Sequence, residues 1–241
     1  MREERPAIPD PIAREVRQRC GFGCVICGCP IVDYEHMLEW AQVKRHVADE
    51  ITLLCPDHHR AKTARRLPLD KIIEANRNPY NLRQSFSTPN PLYYYGNTAI
   101  IKFGNSTFSM SDHGSGAVMI PLMVSNTPLI QVNLLDQHFL LNILLCDEKN
   151  NIILIIKDNA IQYSVGTWDV EYTGRTIIIR QASRNIFIDI EFIAPHTVHF
   201  KRGKFYFNGN SFEIKNNSLI LNGTMTFSSI TIAQTKVGIN I

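Results

Sequence analysis

The chain has 241 residues, a formal net charge of +3 and 44% hydrophobic residues. That length accommodates one large or two modest domains with real cores, and it excludes neither a local basic patch nor a neutral surface. No apolar run reaches bilayer length, and the charged start MREERPAIPDPIAREVRQR lacks the apolar stretch of a signal peptide, so a cytoplasmic protein without a membrane partner is expected.

In chain order, DPIAREVRQRC (10–20) reads as a helix with Asp10 at its N-cap and Pro11 at its first position. DHHRAKTARR (57–66) and PLDKIIEANR (68–77) are also helix-like. The Pro-, Asn- and Ser-rich stretch RNPYNLRQSFSTPNPLYYYGN marks a boundary. From about Thr98 the pattern has period two, as in RTIIIRQ (175–181), NIFIDIEFI (185–193) and KFYFNG (204–209). Asn208, Asn216 and Asn222 punctuate the last strands. An antiparallel sandwich of hairpins fits this half, and a β-solenoid turning at Asn/Gly corners is the alternative.

Five of the six cysteines lie in the first 55 residues, which in a reducing compartment suggests metal binding. Cys24 and Cys27 form a Cys-x-x-Cys pair, and Cys55 and His58 a Cys-x-x-His pair about thirty residues later. Two such knuckles supply four ligands to a tetrahedral structural zinc, which would organise a region too small to fold on its core alone. Buried small hydrophobes are the bland alternative for these thiols. Cys20 and Cys29 flank the knuckle and read as structural thiols, His46 as a surface-loop histidine, and Trp40 as packing.

Adjacent helical residues diverge by about 100°, so His59 would point away from a zinc held by His58. A short ribbon containing DYEHMLEW, packed on that helix, would bring Glu35 and His59 together around a second, catalytic divalent ion. His36 would point differently and serve as a base. Arg60, Lys62, Arg65 and Arg66 follow on the same helix and could clamp a phosphate backbone, or simply form a solvated helix face.

The stretches CVIC, YEHMLEW and DEITLLCPDHHRAKT over roughly residues 14–66 resemble the HNH endonucleases, a branch of the ββα-metal (His-Me finger) nucleases. The resemblance implies that Glu35 and His59 hold the catalytic metal, His36 is the general base, and Cys24, Cys27, Cys55 and His58 form the zinc knuckle. It further implies hydrolysis of DNA phosphodiesters to 5′-phosphates with Mg2+, or with Mn2+ or Ni2+. Glu50 stands where the family has its central Asn; ionised, it accepts hydrogen bonds but cannot donate them, and it would add negative charge beside phosphate.

The resulting expectation is an α+β protein with an HNH nuclease domain over 1–80, a linker over 81–97 and a mostly-β domain over 98–241. The β half vaguely resembles a domain appended to some bacterial HNH proteins, and would position the nuclease by oligomerising, sensing a ligand or binding a partner protein. RNA remains a possible substrate besides DNA, and phage defence, restriction or mobile-element biology are possible settings. The alternative is a non-catalytic, zinc-stabilised module that binds nucleic acid or protein.

Overall fold

A computed structural model describes residues 6–241. The chain begins with helix α1 (Asp10–Arg19), which buries Ala13 and Val16. Pro9, in extended conformation, takes the cap position, and Asp10 falls inside the first turn with no side-chain capping bond. Its carboxylate still complements the positive end of the helix dipole. Next come β1 (Asp33–His36), the short α2 (Trp40–Val43), a single 3-10 turn over Ala48–Glu50, β2 (Ile51–Leu54) and α3 (Pro56–Thr63). Strands β1 and β2 pair antiparallel, with Glu35 opposite Thr52 and His36 opposite Ile51. Helices α4 (Leu69–Arg77) and α5 (Tyr80–Gln84) follow.

This first region buries a small cluster that includes Val16, Val25, Ile51, Leu53, Leu54 and Ile72, with Cys20, Cys24 and Cys55 among them. So few apolar side chains supply little stability by themselves, which makes a cross-link or metal valuable.

The remainder is almost entirely β. Strands β3 (Thr98–Phe103), β4 (Ser106–Ser111), β5 (Ala117–Val124), β6 (Thr127–Leu135), β7 (His138–Cys146), β8 (Ile152–Lys157) and β9 (Ala160–Tyr163) come first. They are followed by β10 (Asp169–Thr173), β11 (Thr176–Ala182), β12 (Asn185–Ile193), β13 (Thr197–Phe207), β14 (Asn210–Lys215) and β15 (Ser218–Leu221). The last three are β16 (Met225–Phe227), β17 (Thr231–Ala233) and β18 (Val237–Asn240).

Strands β5 to β9 form an antiparallel meander, closed at one edge by β18 running parallel to β5. Strands β10 to β16 form a second meander, joined at β13 by β3, which in turn carries β4 and β17. Stacked parallel rungs, the solenoid alternative, do not form, because successive strands fold straight back on each other. The turns explain why. Asn208-Gly209, Asn216-Asn217 and Asn222-Gly223 place both central residues at positive φ, as do Ser125-Asn126, Asp136-Gln137 and Asp158-Asn159. That conformation matches the twist of a two-residue hairpin. Both sheets contribute to one buried cluster, with Phe103, Phe200 and Phe205 from the larger and Val132, Leu141 and Ile143 from the smaller.

Residues 81–97 lie against both regions. Asn81 is buried and donates to the Gly21 carbonyl at 2.8 Å. Leu92 and Tyr94 join the β core, and Tyr94 meets Phe139 edge-on at 4.6 Å. In the YYY run only Tyr94 is buried; Tyr93 is exposed, and Tyr95 donates its hydroxyl to Gln137.

Helix α1 is tied to the β half by Arg17, whose guanidinium donates to both oxygens of Asp169 at 2.8 Å and to the Tyr34 hydroxyl at 2.6 Å. Arg180 donates to the same carboxylate at 3.2 Å. Asp169 is almost completely buried, so its charge depends on these partners. Arg17→Leu is expected to lower the unfolding free energy by about 3 kcal/mol, read from the urea midpoint. Asp49→Ala, which removes an exposed pair with Arg19 at 4.0 Å, is expected to change it by less than about 0.5 kcal/mol. Equal effects would show that the Arg17–Asp169 pair does not hold the two regions together.

Candidate metal centre

The knuckle is shaped by its backbone. The Cys24 amide donates to the Cys29 carbonyl and the Gly28 amide to the Cys24 carbonyl, closing a tight turn that points both thiols one way. Gly28 sits at φ +77, and a Cβ there would lie 2.3 Å from Asn81 and 2.5 Å from Tyr80, so the turn needs glycine. The Val25 amide donates to Leu53, which fixes the knuckle to β2. Directly after β2, Cys55 caps the N-terminus of α3, with Pro56 as the first helical residue.

The ligand atoms of Cys24, Cys27, Cys55 and His58 all lie within 4.8 Å of one another. Cys27 Sγ and Cys55 Sγ are 3.8 Å apart, and His58 Nδ1 lies 3.4 Å from Cys24 Sγ and 3.2 Å from Cys55 Sγ. A tetrahedron of ordinary zinc bonds has sulfur–sulfur edges of about 3.8 Å and sulfur–nitrogen edges of about 3.5 Å. The cluster could therefore hold a metal such as zinc. A thiol hydrogen bond from Cys27, helped by backbone N–H groups, pulls the Cys24 thiol down to about 5 despite its burial. Its partner Cys27 is pushed up by giving that bond and by burial, and burial raises Cys55. A metal would replace the shared protons. Cys20 and Cys29 stand outside the cluster: Cys20 is buried near Thr52, and Cys29 Sγ faces the Ile31 carbonyl at 3.6 Å. Burial raises both thiols, which keeps them protonated.

His59 turns to the other side of α3. Its Nε2 lies 2.7 Å from Glu35 Oε2, and its Nδ1 lies 4.0 Å from Asp33 Oδ2. Strand alternation explains the pairing, because Asp33 and Glu35 are two residues apart on β1 and share a face. The 2.7 Å separation is within hydrogen-bond range for an imidazole and a carboxylate, so Glu35 and His59 are in direct contact. Lys62 completes the cluster: its ammonium sits 2.5 Å from Glu35 Oε1 and 3.3 Å from the His36 carbonyl.

His36, the last residue of β1, is buried at 3% exposure. Its Nε2 lies 3.3 Å from His46 Nδ1, and its ring meets Trp40 edge-on at 5.3 Å. Glu50 is paired with Arg45 by two hydrogen bonds, and these hold its carboxyl below the usual range. Arg60, Arg65 and Arg66 are exposed along and just beyond α3.

Of the residues singled out from sequence, Glu35, His59 and Lys62 converge, and the four-ligand cluster forms beside them. Lys62 faces the carboxylate rather than standing with the exposed arginines. That position was open to sequence reasoning, since Lys62 lies three residues after His59 on one helix face. His46 lies in the loop after α2 and is half-buried against His36 and Trp40. Ring stacking carries no spacing pattern, so no sequence signal marked it.

No protein-family model, curated protein or solved structure matches the chain.

The division between the adjacent imidazoles has a direct chemical consequence. His58→Ala and Cys24→Ser are expected to lower bound zinc from about one per folded chain toward zero, whereas His59→Ala leaves it unchanged. Elemental analysis of the purified variants by mass spectrometry checks this. Zinc loss in His59→Ala comparable to that in His58→Ala would contradict the separation.

Proposed function

We propose that the first region is a zinc-stapled HNH-type endonuclease that hydrolyses DNA phosphodiesters. One observation carries the reading: His59 contacts Glu35 at 2.7 Å while its neighbour His58 faces the cysteine cluster. Glu35 and His59 would hold a divalent ion such as Mg2+, Mn2+ or Ni2+. Bound there, the ion would supply charge neutralisation at the scissile phosphate.

The chain's own groups would do the rest. His36 takes a proton from the attacking water, a task suited to an imidazole near neutral pH. Arg60, Arg65 and Arg66 hold flanking phosphates as exposed, permanently charged donors. Lys62 orients Glu35 and balances its charge, and moves aside toward phosphate when a stronger cation takes that carboxylate. Arg45 restrains Glu50, so that its negative charge is turned away from the phosphate path. RNA is a substrate that the same groups could accept, because none of them reads a base or a sugar hydroxyl.

A second reading rests on two observations. Lys62 already neutralises Glu35, and His36 is shielded by Trp40 and His46. Both favour a non-catalytic zinc module that binds nucleic acid or protein. Nicking of supercoiled plasmid by the full chain, with each of Mg2+, Mn2+ and Ni2+, separates the two. The nuclease reading expects nicking that falls at least about 100-fold in His36→Ala. Nicking that survives this substitution would reject His36 as the base, and none with any ion would favour the binding module.

A further inference from the structure

A β-bulge in β13 exposes cations on the larger sheet. Asp189 pairs with Arg202 and Ile190 with Phe200, so Lys201 is the extra residue of the bulge. Strict alternation would hide one of two neighbours, and the bulge leaves Lys201 and Arg202 both exposed. Lys204 follows on the same strand, Lys215 ends β14, and Arg184 stands in the turn before β12. Together they line a groove of about 580 Å3 that runs across β12, β13 and β14.

The charges of this groove do not balance. Lys201 meets Glu191 at 2.9 Å, Arg202 meets Asp189 at 3.8 Å and Lys204 meets Glu213 at 4.0 Å. Glu191 is also held by Arg175 at 2.6 Å, so its charge is shared between two cations. Arg184 and Lys215 form no ion pair with any described residue. The register that sets Gly203 opposite Ile214 brings Arg202 level with Lys215. Like charges on facing positions cost stability, and a purely structural sheet gains nothing from them. The positive surplus is available to an anion.

The lining selects the kind of anion. Among the described residues that line the groove none is aromatic, and Ile186 and Ile214 supply its only apolar side chains. Single strands are held by stacking of bases on aromatic rings, and lipid surfaces by apolar insertion. A duplex needs neither, because it presents rows of phosphates to Lys, Arg and Asn side chains. Asn185, Asn216 and Asn217 border the groove and can donate such bonds. We infer that this groove is a DNA-binding surface that grips the duplex phosphate backbone without reading its sequence. The choice of DNA rests on the nuclease reading above. The β half then supplies affinity, and the zinc region supplies the reactive groups.

Arg184→Gln combined with Lys215→Gln tests this, since neither change leaves a carboxylate unpaired. Fluorescence anisotropy reads binding of a labelled DNA duplex to the full zinc-loaded chain, with no divalent ion added so that nothing is cut. At about 100 mM salt the double variant should bind at least about 10-fold more weakly. The slope of log K against log salt should shrink by about 1.8, for two lost phosphate contacts. Lys157→Gln with Lys236→Gln removes the same charge from the smaller sheet and should cost less than about twofold. Arg184→Lys with Lys215→Arg should bind as the wild-type chain does. Wild-type affinity in the first variant, or an equal loss in the smaller-sheet variant, would overturn the proposal. So would tighter binding of an RNA duplex of the same length.

Plasmid nicking gives a second readout. The Arg184→Gln, Lys215→Gln chain should show KM raised about 10-fold and kcat within about twofold, as loss of uniform binding does. Nicking with KM unchanged would overturn the groove and leave the nuclease reading standing. Groove-dependent binding without nicking would uphold the groove and remove the nuclease reading. A wild-type chain that binds no duplex would overturn both. Equal zinc content and circular dichroism among the variants establish that each one folds.

Discussion

Two side chains in sequence on an α-helix point about 100° apart, and this chain puts His58 and His59 on that step. Because they diverge, one turn of α3 serves two sites. His58 joins three cysteines, and His59 reaches across to a carboxylate on β1. The first arrangement depends on α3 starting directly after Cys55, since the cap residue is itself part of the cluster. The cluster that could hold a metal and the helix start are thus one feature of the sequence.

The surrounding structure holds that helix in place. Strand β2 is buried along its whole length and delivers Cys55 directly to the end of α3. The same strand receives the Val25 amide, which fixes the knuckle opposite. Its pairing with β1 puts Glu35 and His36 next to α3. Behind β1, Tyr34 takes a hydrogen bond from Arg17, and Arg17 is held by Asp169 of the β half. A chain of polar contacts therefore runs from the large sheet to the strand that carries Glu35. The β half is tied to the candidate site through this chain.

The sequence made some of this legible and not the rest, for physical reasons. Ligand pairs three residues apart point to a cluster that could hold a metal, because a short turn brings both side chains to one side. Strand alternation and the helical step likewise predict which neighbours separate. Asn-Gly and Asn-Asn corners marked hairpins, but the same corners occur in solenoid rungs, so they left the architecture open until the pairing was seen. Parallel closures such as β3 on β13 and β18 on β5 join segments far apart in the chain, and leave no periodic trace. The same holds for Arg17 and Asp169, which are 152 residues apart. His46 sits in a loop, whereas Trp40 opens α2 and His36 ends β1, so ring contacts and not spacing bring the three together.

Anomalous diffraction from crystals of the full chain soaked in Mn2+ tests the division between the two imidazoles most directly. The account expects zinc-edge scattering within bonding distance of Cys24, Cys27, Cys55 and His58, and a separate manganese peak bound by both Glu35 and His59. A single peak shared by His58 and His59, or manganese density away from Glu35, would contradict it.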